Sequence, residues 1–496
     1  MRQRRGMFRA IGGYFRAAAT WTAATVLGSI GAYQVLDPSR KILSAGQRRA
    51  ASMTANQLSA TSLPQLRAIC RRLERDNPTA RAAVEGLVAQ VVGTGIALEP
   101  DHGDDLINER LRTAWVDYIA GCDISGKRSI YALEEQAMRD IATAGEFLWR
   151  LAVLPERAEV GQVPLCVLPL ECEWITTESP AAPSMGVTTA QGIEVDRWGR
   201  PIAYWLKNPD TLVAGESQRV VASEIVHGFE RRRALQNRGE PLLCPVIERI
   251  AQEGDLVDAE LRSAITCAGI GIVIKSTGHG ALDTTTNGTT DDPAMGIGVG
   301  AVARLFPNED ITAFSHNRPG QQIQAFRGTL RGDISASMRI SQRWLDRDYS
   351  RANYSSMRAD NLDSERLLAP LREWLGHATI GELYRRALPY LCILAGVPMP
   401  KRIAYKLLPD GTPYVDPVKD VRGAVDGIAA GLTTHQEQIA MRGGDYRKVW
   451  EQLARERAEA QALGLSLDMS SSNAPAPASQ IGEVVPPAND QPKANA

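Results

Sequence analysis

The sequence lacks the usual marks of catalysis. It has no GxxxxGK[ST] phosphate loop, no GxSxG nucleophile elbow and no HExxH. Its 6 histidines are scattered, and none stands at zinc-site spacing from a cysteine. Its 7 cysteines, at 70, 122, 166, 172, 244, 267 and 392, form no CxxC pair. An odd, dispersed set favours reduced thiols and manufacture inside a cell. Nor does one charge dominate: Lys+Arg 56 against Asp+Glu 57 gives a formal net charge of −1. The chain is therefore not a bulk polycation, and contact with nucleic acid must come from local patches. No catalytic residue, metal ligand or cofactor is assigned.

Weaker signals keep two alternatives open. GTGIAL at 93–98 and GIGVGA at 296–301 look like pieces of a phosphate loop, but neither sits in a full strand–GxGxxG–helix setting. A nucleotide-binding α/β enzyme would have to be built on them. The basic start MRQRRGMFRAIGGYFR precedes the uncharged AAATWTAATVLGSIGAYQVL. A membrane-anchored structural protein would use that run, yet its Ala, Thr, Gly and Ser content is weak for a bilayer span. A mobile or surface-docked arm is the plainer reading. Asp104-Asp105 and Asp291-Asp292 read as solvated pairs, and His227 as a structural residue near a strand end.

What is present is a soluble globular composition, 44% hydrophobic and 23% charged over 496 residues. That length suggests roughly three domains of about 150 residues. Leu66, Ile69 and Leu73 share one face of a first helix, with Arg67, Arg71 and Arg75 on another. Asn77-Pro78 marks the cap and first turn of a second helix, whose apolar stripe is Ala80, Val84, Leu87, Val88 and Val91. Gly93 and Gly95 end it. A helix at 130–144 leads through Gly145 into the strand EFLWRLAVL, and IEVDRWGRPIAYWL reads as a hairpin. VARLF, ITAF and QIQAF look strand-like. Helices are expected at 329–345, from 357 to about 390, and in DPVKDVRGAVDGIAAGL and YRKVWEQLARERAEAQAL. The Pro/Ala/Ser-rich tail from 466 should be disordered.

DRDYSRANYSSMR, residues 346–358, is polar and has no glycine or proline, yet it separates two helices. In the helix before it, Leu330, Ile334, Met338, Ser341 and Leu345 fall on one face. Arg331, Arg339, Arg343, Arg347 and, if the helix runs on, Arg351 fall roughly opposite. Such a face can be solvated, can meet a polyanion, or can pair with acidic residues of a neighbouring subunit.

At NYSSMR the sequence resembles the lambda-type family of phage portal proteins. RRLERDNPTARAAVEGLVAQVVGTGIALEP, GIEVDRWGRPIAYW, VHGFERRRALQNRGEPLLCPV and the block from VDPVKDVRGAV to VWEQLARE resemble further family motifs, in family order, from about residue 63 to 465. The family's glycine- and proline-containing stretch before NYSS is replaced here by WLDRDY.

The resemblance implies an α+β, multidomain subunit with long helices and small antiparallel sheets, assembling into a ring, typically a dodecamer. By analogy the parts are a basic arm 1–60, the first part of a wing 61–242, a stem helix 243–269, a clip 270–328, a second stem helix 329–346, a tunnel loop 347–357, a long wing helix 358–395, a crown region 396–465 and the tail 466–496. It also implies a conduit for double-stranded DNA at one capsid vertex of the virion, assembled in the host cytoplasm. The implied partners are copies of itself, DNA contacted without reading bases, the terminase large subunit, head–tail adaptor proteins, and the major capsid and scaffold proteins. Asp346, Arg347, Asp348, Tyr349, Ser350, Arg351, Asn353, Tyr354, Ser355 and Ser356 would face the DNA. Arg331, Arg339 and Arg343 would form a basic face on the stem. A near-neutral chain suits a bore through which DNA must slide, because each neutralised phosphate adds salt-sensitive affinity.

Overall fold

The computed structural model describes residues 53–176, 186–207, 217–269, 273–276, 309–312, 321–350, 352–411 and 416–465. The tail, the apolar run at 17–36, GIGVGA, VARLF and Asp291-Asp292 lie outside these residues.

The first element among the described residues is helix α1 (Ala55–Asp76), which begins within the range expected for the arm. Asn77 caps α2 (Pro78–Val91), its side chain accepting from the Thr79 and Ala80 amides. That is the cap expected from Asn-Pro, because it satisfies amides the first turn cannot. Strand β1 (Ala97–Pro100) follows, then α3 (Asp105–Ile119) and α4 (Ile130–Thr143). GTGIAL therefore lies at a helix-to-strand junction, opposite to the order a phosphate loop requires. Asp104 is no idle solvated acid; it caps α3.

Gly145 joins α4 to β2 (Glu146–Val153) at a φ of +89°, and a Cβ there would meet the Glu240 backbone. Both facts require glycine. β2 is the centre of an antiparallel sheet, with β3 (Leu165–Leu170) on one side and β8 (Ile225–Phe229) on the other. A second sheet runs in order β4 (Thr188–Ala190), β5 (Ile193–Val195), β6 (Pro201–Lys207) and β7 (Ser217–Val221). Its β5–β6 pair is the expected hairpin.

Alternation along β2 sorts the core. Phe147, Trp149 and Leu151 join the larger cluster, with the helices, while Leu148 joins Leu170, Ile193, Tyr204 and Leu206 on the other face.

Helix α5 (Ile247–Gly269) starts the next part, and α6 (Gln321–Ser337) packs beside it. Between them β9 (Val273–Ser276) and β10 (Glu309–Thr312) pair antiparallel. QIQAF is thus the start of a helix and not a strand. Helix α7 (Gln342–Asp346) and helix α8 (Tyr354–Gly376) follow. A π-helical segment, His377–Gly381, joins α8 without a break to α9 (Glu382–Ala395). Strand β11 (Tyr405–Leu408) pairs with β1, which ties the chain after residue 396 back to its first part. The C-terminal helices are α10 (Pro417–Ala429), α11 (His435–Ala440) and α12 (Tyr446–Ala462). Among the described residues no helix is long and apolar enough to cross a membrane, and no group of His, Cys, Asp and Glu could hold a metal ion.

The π-helical segment carries a buried acid. Glu134 of α4 accepts from the Ile96 amide at 3.0 Å and lies 3.0 Å from Thr379 Oγ1. Thr379 Oγ1 is also 2.7 Å from the Leu375 carbonyl. One hydroxyl proton cannot serve both acceptors. A protonated Glu134 resolves this by donating to Thr379. Burial agrees, pushing the carboxyl up to about 8 against the weaker pull of its two hydrogen bonds. A pKa raised on folding contributes stability at acid pH that is lost as pH rises toward 8. Glu134→Gln is expected to remove that slope between about pH 5 and 8, measured by urea melts across the range. A variant with the wild-type slope would place the titration elsewhere.

Candidate functional site

The segment from Ile334 to Arg358 holds most of the expected site residues, and the structure arranges them differently from the sequence reading. The helix expected at 329–345 is two helices. After Ser337 the chain turns at Arg339, whose φ is +60°, and Ser341 then caps α7. The break has a packing cause: Met338, Ile340 and Leu345 are all buried in the main cluster, which no straight helix could place there together. The arginines at 331, 339, 343 and 347 therefore do not share one helical face.

Three of them are paired within the chain. Arg331 donates to Glu253 Oε1 and to Asp346 Oδ1, both at 2.7 Å. Arg339 donates to Glu230 at 2.6 Å. Arg343 lies 4.0 Å from Asp360, whose carboxylate also takes the Ser341 hydroxyl. Within this chain the arginines expected on a basic stem face thus each lie against an acid.

Glu253 on α5 is the hub. It is 3% exposed and accepts from Thr79 of α2 at 2.8 Å, Arg327 at 3.0 Å and Arg331. Burial pushes its carboxyl up, but these donors outweigh burial and hold it below the usual range. Glu253, Thr79 and Glu230 were missed from sequence because each lies far from its partner along the chain: Glu253 from Arg327 and Arg331, Thr79 from Glu253, and Glu230 from Arg339.

Arg347 ends α7 in the left-handed region, φ +51°. This is where a glycine is ordinarily favoured. The chain thus makes the break without the family's glycine. Arg347, Asp348, Tyr349 and Ser350 are exposed, and Asp348 Oδ1 accepts from the Ser350 amide at 2.9 Å. Arg347 has no partner among the described residues. Arg351 lies outside them.

Asn353, Tyr354, Ser355 and Ser356 are not loop, as expected, but the cap and first turn of α8. Asn353 accepts from the Ser356 amide at 2.8 Å, and Ser356 Oγ accepts from the Asn353 amide at 3.0 Å. This is a reciprocal capping box, with Asn and Ser in the usual Ser/Thr and Glu/Gln places. Tyr354 turns from the loop toward α10: its hydroxyl donates to Asp420 at 3.3 Å, and Lys419 Nζ stands 4.5 Å above its ring. Half of the NYSS motif thus serves to start a helix and anchor the C-terminal part. Among the described residues between α7 and α8, 347–350 form a continuous exposed stretch.

His227 sits within β8, with Nε2 3.1 Å from Glu146 Oε2. Glu146 is fully buried and accepts from Arg67 at 2.6 Å, Arg238 Nε at 2.7 Å and the Gly239 amide at 2.7 Å. Arg67 is therefore buried, not on a polar helix face with Arg71 and Arg75. Glu146, Arg67 and Arg238 are buried, while His227 also borders an open cavity of about 470 Å³ with Tyr204, His377 and Arg386. The ion cluster is architectural.

Known proteins resemble this chain at modest identity. Portal protein B of Escherichia phage lambda is 22% identical over 309 residues, 54% of this chain and 58% of that protein. The probable portal protein of Halomonas phage phiHAP-1 is 23% identical over 360 residues, 68% of this chain and 67% of that protein. The portal protein of Escherichia phage N15 is 24% identical over 270 residues, 47% and 50%. The matches thus span about half to two thirds of these relatives. Among solved structures, the neck of a native gene transfer agent particle computed with C12 symmetry is 15% identical, with a TM-score of 0.44, covering 74% of this chain and 91% of that one. An HK97 family phage portal protein from Corynebacterium diphtheriae is 12% identical, with a TM-score of 0.33, covering 68% and 93%. The family model for the phage portal protein, lambda family, matches residues 43–372, more than half of the sequence, and the chain belongs to that family.

Proposed function

We propose that this chain is the subunit of a portal ring at one capsid vertex, through which double-stranded DNA is packaged and later leaves. In this reading α5 and α6 are the stem, the insertion carrying β9 and β10 is the clip, α8 and α9 form the long wing helix, and residues 347–350 reach the channel. Terminase and head–tail adaptors dock on the outer end, and capsid and scaffold proteins surround the ring. The protein is structural and uses no nucleotide of its own.

The observation that carries this reading is the neutralisation of the stem. Arg331, Arg339 and Arg343 each face an acid of the same chain, and among the described residues Arg347 is an exposed cation without an acidic partner, beside Tyr349 and Ser350. A bore lined this way touches phosphate weakly. Each neutralised phosphate steepens the log–log salt dependence by about 0.9, so a fully basic face repeated around a ring would grip DNA and stop it. Hydroxyl, amide and guanidinium groups contact backbone without reading sequence.

Electron microscopy of the purified full-length protein is expected to show rings with a central hole. A stable monomer under assembly conditions would overturn the proposal. Arg347→Gly then separates charge from backbone. It relieves the left-handed strain, about 1 kcal/mol, so the fold is kept or strengthened. Rings should form normally while heads retain less DNA. Normal DNA content in the variant heads would remove residue 347 from the channel.

A further inference from the structure

Two surface features lie at opposite ends of strand β2. At the Glu146 end, β8 runs on past Phe229 into the loop Glu230–Leu235. The tip of the β5–β6 hairpin lies against that loop, since a Cβ on Gly199 would sit 2.9 Å from Leu235 Cδ2. Together they expose Trp198 and Leu235, each at 67%, among Arg197, Arg231 and Arg233. Arg197 stacks 5.0 Å above the Trp198 ring. The local acids are already taken: Asp196 by Arg200, and Glu230 by Arg232 and Arg339. The result is a basic, aromatic knob.

At the Val153 end lies an open groove of about 1060 Å³, between α3, the β2–β3 connection and the end of α9. Ile124 and Leu394 are exposed along it. Asp117 and Glu156 line it and make no ion pair among the described residues; of its two arginines, Arg110 opposes them, and Arg157 is turned to the Cys166 thiol and the Gly121 carbonyl. Two polar atoms of its wall, Tyr118 Oη and Arg157 Nε, are buried with no hydrogen-bond partner. Such groups are rare in a finished surface. Eight strand residues separate knob and groove by roughly 25 Å.

We propose that the knob of one subunit docks in the groove of the next copy of this chain, Trp198 entering beside Ile124 and Leu394 with Arg197 facing Asp117. The proposal rests on the ring reading above and names the surfaces that close the ring. Two different patches at the two ends of one strand can make a head-to-tail contact, the kind that propagates around a ring. The exposed Trp and Leu favour a protein over a nucleic-acid backbone as occupant, since phosphate offers an indole nothing to bury against. Tryptophan and arginine are also the residues that most often dominate protein interfaces.

The test uses the full-length chain, with sedimentation and electron microscopy across a concentration series. Trp198→Ala, Asp117→Arg and Arg197→Asp are each expected to raise the concentration for half assembly by about tenfold or more. Asp117→Arg combined with Arg197→Asp should recover much of the loss. These positions are surface ones, so thermal melts of the monomers should match the wild type. Rings at wild-type concentration in all three single variants would overturn the interface and leave the ring reading standing. A wild-type chain that never forms rings would overturn both. Reduced binding of duplex DNA by Trp198→Ala, with ring assembly unchanged, would assign the knob to nucleic acid and also overturn the proposal.

Discussion

Glu146→Ala is expected to lower stability by about 3–5 kcal/mol, as removal of one partner from a buried ion cluster does. Glu146 is 0% exposed, and Arg67 and Arg238 beside it are 4% and 3% exposed. The alanine variant would leave two guanidinium groups in the interior with only carbonyl acceptors: Ala144 for Arg67, and Cys172 and Gln191 for Arg238. It also strips the Gly239 amide of its acceptor. Glu146→Gln keeps the volume but loses the charge, and is expected to be nearly as costly. The effect should reach the whole molecule. The cluster pins α1, the start of β2 and the loop after β8, where the two apolar clusters meet on either side of the sheet.

The pH dependence follows. Burial pushes the Glu146 carboxyl up, but Arg238, Arg67 and His227 outweigh it and hold it well below the usual range. A depressed pKa contributes stability above the unfolded value, about 4.3, that is lost as pH falls through the folded value. Urea melts should therefore show the variants far below wild type at pH 7, with the gap narrowing in strong acid. Variants within about 1 kcal/mol of wild type at pH 7 would mean that the cluster is not intact in solution.

Some local signals were read correctly from the sequence, and long-range ones were not. Asn77-Pro78 announced its helix start because the cap, the proline and the amides they serve lie within four residues. The β5–β6 hairpin was legible for the same reason. The capping box at Asn353 and Ser356 was equally local, and Asn followed three residues later by Ser was the available sign that α8 begins at Tyr354. Arg67 was misplaced because its spacing with Arg71 and Arg75 fits a solvated face, while Glu146 lies 79 residues away. The break at Arg339 was missed because neither glycine nor proline marks it. There tertiary packing of Met338 and Ile340 overrides a good helical pattern. The segment holding residues 347–350 stood out as a polar stretch between two helical patterns, and its role as a tunnel loop came from family resemblance alone.

Glu253→Ala is expected to free the base of that loop. Glu253 joins three helices: its own α5, α2 through Thr79 at its start, and α6 through Arg327 and Arg331. Arg331 passes the constraint to Asp346, the residue before the left-handed turn at Arg347. Loss of the carboxylate leaves Arg331 with Asp346 alone and Thr79 without its acceptor. The arginines are partly exposed and can turn to water, so the stability cost should be near 2 kcal/mol and not the larger value at Glu146. The local effect should be greater than the global one. Trypsin cleavage after Arg347 is expected to speed up about tenfold under conditions where the rest of the chain stays folded, because local opening and not global unfolding then sets the rate. Arg343→Ala supplies the contrast, since its 4.0 Å approach to Asp360 is a weak tie and its loss should change cleavage little. The carboxylate is held below the usual range, so the latch is present at neutral pH and is lost as pH falls below about 4. Equal cleavage rates for wild type and Glu253→Ala at pH 7 would mean that the loop is positioned by α8 alone. Tyr354 and its contact with Asp420 would then be the next anchor to remove.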